Sequence, residues 1–141
     1  ITPLIAVVLK KSELNVQERV ILYQSNYFKD ILPPENDHFE KVIRTDAMPD
    51  RDQSLALMRK KMIDENDFCA AIFIGGMEGV EDEYNLFKKA HPDCPVFPIA
   101  SSGAASKILY IKNQFKDKKL LTDFCYLPLF DELFEGILSG K

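Results

Sequence analysis

The sequence predicts an α/β fold: an open parallel sheet with helices on both faces. Three observations carry that expectation. Short apolar, β-branched runs alternate with amphipathic segments, the rhythm of strand, crossover helix, strand. The run "FCAAIFIG", Phe68 to Gly75, is apolar on both alternating sets, as a strand covered on both sheet faces would be. Two turns of small residues, "IGGMEG" and "IASSGAA", follow such runs, 25 residues apart. The 141 residues contain no internal repeat and no low-complexity linker, so one domain over residues 1–141 is expected.

The elements follow in order. "PLIAVVL" is short and β-branched like a buried strand, yet Thr2 and Pro3 make an equally good helix opening as N-cap and first helical residue. "ERVILYQS" (Glu18 to Ser25) reads as a strand running into a loop, and "NYFKDIL" as a short helical piece stopped by Pro33 and Pro34. "EKVIRTD" is a strand candidate. "DRDQSLALMRKKMIDEN" puts Leu55, Met58 and Met62 on one helical face, with acids first and lysines later, which suits the macrodipole. "FCAAIFIG" is the buried strand, and "VEDEYNLFKKA" an amphipathic helix with Val80, Tyr84 and Phe87 aligned. "PVFPIA" is another buried strand, and "SGAASKILYIKNQF" and "LPLFDELFEGILSG" are helices. The start at "ITPLIAVVLKK", without Met or lead-in, suggests a piece of a longer polypeptide.

Composition excludes several classes. Hydrophobic residues make up 46% and charged residues 28%, an ordinary globular balance. A net charge of −4 with no basic stripe argues against a nucleic-acid partner, and "KNQFKDKKL" reads as a solvated loop or helix end. Cys69, Cys94 and Cys125 show no CxxC spacing and no His at ligand spacing, so metal and redox roles are not expected, and Cys69 reads as a buried free thiol. No cofactor is expected. With no apolar run long enough to span a bilayer and no signal peptide, a cytoplasmic setting without membrane contact is the default.

In open parallel sheets, ligands bind beyond the carboxyl ends of the strands, here the loops after Gln24, Ile74 and Ala100. Gly75 and Gly76 end a strand, and lack of a Cβ permits tight turns and close approach of a ligand. Met77, Glu78 and Gly79 lead into a helix whose exposed amides would suit a phosphate. Ser101 and Ser102 offer hydroxyls and amides at the second turn, with Gly103 and Ala104 leaving room. As neighbours on a parallel sheet the two turns would form one small-residue cleft for a nucleotide-type ligand. The acids Glu78, Glu81, Asp82 and Glu83 stabilise a helix start without any ligand, but Glu83 is one turn in, where it could accept from ribose hydroxyls. Gln24, Ser25 and Asn26 sit at a third strand end, where such side chains bond either their own turn or a ligand. Arg44 and Arg59 are candidate anion partners, although Arg59 also suits a solvated helix face. His91 reads as a helix end and His38 as a loop residue; neither has a Ser or Cys partner that would suggest a triad.

"ITPLI", "LYQSNYF", "SLALMRKKM", "FIGGMEGVEDEYNLF" and "HPDCPVFPIASSGAA" together resemble the SLOG superfamily. This Rossmann-like group takes in DprA-type proteins, lonely-guy phosphoribohydrolases and the sensor domains of bacterial conflict systems. The likeness is greatest to the last and runs from Ile1 to about Leu109. It implies binding of nucleotides or signals derived from them, such as ADP-ribose-type molecules. It also favours a helix over Thr2 to Lys10, with Thr2 near the ligand, and a central first strand lying before Ile1. Hydrolytic relatives carry a PGGxGTxxE loop that supplies the catalytic glutamate. This chain reads Gly75-Gly76-Met77-Glu78-Gly79-Val80, without the proline and with Val80 where threonine would stand, so Glu83 matches that glutamate only loosely.

The leading expectation is a sensor domain that binds a nucleotide-derived small molecule and acts on a fused effector domain or, as a homo-oligomer, on a second subunit, in bacterial signalling or defence. The alternative is a nucleoside-5'-monophosphate phosphoribohydrolase with Glu83 stabilising the ribosyl cation. A third reading takes "LPLFDELFEGIL" as a helix that mediates association.

Overall fold

A computed structural model describes residues 20–34, 36, 39 and 41–139. The opening segment with Thr2, and His38, lie outside the described residues. The chain is α/β, and the described residues fall into two compact units, one ending at Glu65 and the other beginning at Asn66.

In the first unit, β1 (Ile21–Ser25) pairs in parallel with β2 (Lys41–Thr45), Ile21 opposite Lys41 and Ser25 opposite Thr45. The chain leaves β1 through a 3₁₀ helix, Asn26–Ile31, and ends it ahead of Pro33, where the missing N–H prevents continuation. Helix α1 (Arg51–Asp64) packs on both strands. Its start is capped by Asp50, whose carboxylate accepts from Gln53 N at 2.8 Å and, through its other oxygen, from Gln53 Nε2 at 2.6 Å. The fully buried Ser54 hydroxyl donates to Asp50 O at 2.7 Å and accepts from Met48 N at 2.9 Å. Leu55, Met58 and Met62 are half-buried, while Ile63 is the fully buried apolar residue of the helix.

In the second unit, β3 (Ala71–Ile74) pairs in parallel with β4 (Val96–Ile99) through the crossover helix α2 (Gly79–Ala90). A 3₁₀ turn, Ala100–Ser102, leads into α3 (Ala104–Lys112), followed by α4 (Lys119–Thr122) and α5 (Tyr126–Leu138). The core gathers Ile99, Ala100, Tyr110, Leu120, Leu129 and Leu133, with Phe97, Phe115 and Phe130 packed around it. Burying a side chain of Leu or Ile size contributes about 1.5–3 kcal/mol, so this cluster anchors β4 beneath α3 and α5. The apolar face of α2 rests on the sheet: Phe87 is buried, and the Tyr84 ring meets Phe73 edge-to-face at 5.9 Å. His91 ends that helix, its N–H donating to Phe87 O at 2.8 Å.

Hydrogen bonding joins the described strands in two parallel pairs rather than in one continuous ladder. The run "FCAAIFIG" is also longer than the strand it makes. Pairing starts at Ala71, Phe73 is its one fully buried residue, and Ile74 is exposed. Cys69, expected inside, lies in a bend ahead of the strand and is exposed. The apolar pattern concealed that the chain is still turning at that position. In α5, Leu129 and Leu133 are buried, whereas Leu127, Phe134 and Leu138 are exposed.

Candidate functional site

Because β3 and β4 are parallel with Ile74 opposite Ile99, both chains leave the sheet at the same end, side by side. Their turns are hydrogen-bonded to each other. Gly75 N donates to Ser102 Oγ at 2.8 Å, and that hydroxyl donates to Ile99 O at 2.5 Å. The Gly75 carbonyl accepts from Ser106 N at 3.1 Å and Ser106 Oγ at 3.0 Å, while Gly76 O accepts from Ala105 N at 3.3 Å. The first turn of α3 is thus fastened to the loop that ends β3.

Backbone conformation explains the glycines. Gly76 has φ +85°, and a Cβ there would lie 2.2 Å from Val80 Cγ2, so both handedness and space require glycine. Gly75 (φ +56°) and Gly103 (φ +79°) also take left-handed conformations, but a Cβ on either would meet nothing within 4 Å. Both border open space. Ala104 holds φ +50° without being glycine, a sparsely populated conformation at the start of α3.

The two helix starts share a second property. Glu78 precedes α2 and Gly103 precedes α3, and neither provides a side-chain cap. In α2 the amides of Val80 and Glu81 turn back onto Met77 O (2.9 Å) and Glu78 O (3.0 Å). Met77 is 82% exposed at the tip of this loop, with Gly76 and Glu78 exposed beside it and Gly79 half-buried. Ser101 Oγ is buried and finds no hydrogen-bond partner among the described residues.

The acids at the start of α2 divide by role. Glu81 accepts from Lys112 Nζ of α3 at 2.7 Å, and this hydrogen bond holds the Lys112 ammonium above the ordinary lysine range. Glu83 is half-buried and lies three residues after Val80 and four before Phe87, so it shares their side of the helix, one turn beyond the glycines. No group of three or more His, Cys, Asp or Glu among the described residues could hold a metal ion.

In the first unit, Gln24, Ser25 and Thr45 are buried at the carboxyl ends of β1 and β2. Ser25 Oγ accepts from Tyr27 N at 3.3 Å and caps its own turn, and Thr45 Oγ1 donates to Gln24 O at 3.5 Å. Gln24 Oε1 is buried without a partner among the described residues. Arg59 is half-buried on α1, and Arg44 is exposed on β2.

The structure therefore brings together Gly75, Gly76, Ser101, Ser102, Gly103 and Ala104 in one place. Sequence reasoning overlooked Ser106, whose buried hydroxyl grips Gly75 O, and Val80, which makes Gly76 obligatory. A signal for Ser106 existed: it is the next small polar residue after the second turn, on the helix that must close against the first.

The model of the SLOG cluster3 family matches residues 1–134. No curated protein and no solved structure matches the chain. The match takes in both turns and nearly all of the chain, and the chain belongs to this family.

Proposed function

We propose that this member of the SLOG cluster3 family is a binding domain for a nucleotide-derived small molecule, ADP-ribose-like or a nucleoside phosphate, and that binding regulates an attached effector or a second subunit. Family membership points to a nucleotide-related function. The observation that supports the rest is the convergence of the two strand-end turns, fastened through Gly75 and Ser102, with open space at Gly75 and Gly103. Two helices of eight or more residues begin there without side-chain caps, and their partial positive charge favours a phosphate. In this reading the glycines admit the phosphate to the backbone and the buried Ser101 hydroxyl gains a partner. Glu83, half-buried on α2, accepts from ribose hydroxyls.

The test is thermal unfolding with AMP, NAD, ADP-ribose and cyclic ADP-ribose, with chromatography of each mixture afterwards. A ligand at a hundred times its Kd adds about 2.7 kcal/mol to stability, an easily read rise in Tm. A rise with intact ligand supports the binding domain. Release of free base, lost in Glu83→Gln, would instead make the chain a phosphoribohydrolase. No rise with any of the four overturns the reading.

A further inference from the structure

We infer that Cys69 and Cys94 form a redox pair, two thiols that a peroxide-class oxidant converts to a reversible disulfide at the amino-terminal end of β3 and β4. The strand register is the first support. Ala71 lies opposite Val96, an offset of 25 residues, and Ala71 N donates to Pro95 O at 3.0 Å, so the chains are still abreast where pairing begins. Cys69 and Cys94 have the same offset and sit in the bends that lead into the two strands. Adjacent strands are about 4.8 Å apart, within the range of about 4.4–6.8 Å between Cα atoms that a disulfide spans.

A direct contact is the second support. The Cys94 thiol donates to Phe68 O at 3.4 Å. That oxygen belongs to the peptide entering Cys69, and standard peptide dimensions put the Cys69 Cα about 2.8 Å from it. The Cys94 sulfur is therefore within about 6 Å of the Cys69 Cα, close enough for rotation of the two side chains and a small shift of the bends to bring the sulfurs together.

The two thiols have different surroundings. Cys69 is exposed and borders a groove of ≈ 490 Å³ that it shares with Asp93, Phe97, Lys119 and Glu132, so a small oxidant reaches it from solvent. Cys94 is half-buried; burial and the neighbouring Cys69 push its thiol up, against the opposing pull of Lys88. Cys69 is thus the sulfur that reacts first. Its thiolate attacks one peroxide oxygen, the O–O bond breaks, and the sulfur is oxidised to a sulfenic acid while the other oxygen leaves as water after protonation. The Cys94 thiolate then attacks the Cys69 sulfur, the S–O bond breaks, the S–S bond forms, and a second water departs. Two thiols and one hydrogen peroxide become one disulfide and two waters. Cys125, the residue that precedes α5, is exposed and takes no part.

The experiment treats the purified chain with hydrogen peroxide, alkylates the remaining thiols, and maps the product by intact mass and peptide mass spectrometry. The expected product has lost two hydrogens and two of its three titratable thiols. It contains a Cys69–Cys94 linked peptide that dithiothreitol releases. Cys125→Ser retains the link. Cys69→Ser and Cys94→Ser abolish it, and Cys94→Ser accumulates a sulfenic acid at Cys69 that dimedone captures. Three thiols that remain alkylatable after oxidation, a link through Cys125, or one that joins two chains overturns the inference.

Discussion

Replacing Gly76 by alanine attacks the turn on which the candidate site is built, and its cost has two parts. An L-residue in a left-handed conformation is strained by about 1–2 kcal/mol, and Gly76 sits at φ +85°. The new Cβ would also approach Val80 Cγ2 to 2.2 Å, and forcing a methyl group into occupied space costs about 1–3 kcal/mol. Gly76→Ala should therefore lose about 2–5 kcal/mol. Gly75→Ala is the control: its φ of +56° strains the backbone, but its Cβ meets nothing within 4 Å, so the loss should be about 1–2 kcal/mol. Urea unfolding followed by circular dichroism measures both. Adding Val80→Ala to Gly76→Ala removes the colliding methyl, so the double variant should lose about 1–3 kcal/mol less than the sum of the two single losses. Equal losses at positions 75 and 76, or a double variant that loses the full sum, would refute the claim that Val80 dictates glycine at position 76.

Three further outcomes are expected. Ser102→Ala leaves Gly75 N–H without its acceptor and should cost about 1–3 kcal/mol, whereas Ser106→Ala leaves Gly75 O its backbone donor and should cost about 0.5–1.5 kcal/mol; the reverse order in urea unfolding contradicts the hydrogen-bond pattern. Asp50→Ala uncaps α1 and should cost about 0.5–2 kcal/mol, with Asp50→Ser recovering most of it in the same assay. Lys112 is held above the ordinary lysine value of 10.5 by Glu81. A raised value means that its contribution to stability is fully present below 10.5 and is lost as pH rises through the folded value. An NMR titration should place the Lys112 midpoint above 10.5, and Glu81→Gln should lower it; a midpoint that Glu81→Gln leaves unmoved contradicts the ion pair.

What the sequence revealed was local pattern. Two small-residue turns about 25 residues apart, each followed by a helix, marked two neighbouring strand ends, and β3 and β4 do pair in parallel, with Ile74 opposite Ile99. The amphipathic run Val80, Tyr84, Phe87 was likewise legible, because apolar residues at helical spacing need only local geometry, and in the fold Phe87 is buried with Val80 and Tyr84 half-buried. What stayed hidden depended on contacts between distant positions. Val80 forbids a side chain at Gly76 only because the loop folds back onto the helix it introduces. Ser106 reaches Gly75 from 31 residues away. Cys69 and Cys94 have the same offset as the strands they precede, but without the register they read as isolated thiols, and the apolar residues after Cys69 disguised a bend as buried strand.

The central claim is that the turns after β3 and β4 form one hollow that receives a phosphate-bearing ligand. Titration of the isotope-labelled chain with ADP-ribose, followed through its backbone amide resonances, tests this most directly, because glycine amides are well separated and report on bonding to the backbone. The account predicts saturable shifts at Gly75, Gly76, Ser101, Ser102 and Gly103, reduced in Ser102→Ala. Amides at these five positions that stay fixed at millimolar ligand, or saturable shifts confined to residues remote from both turns, would contradict it.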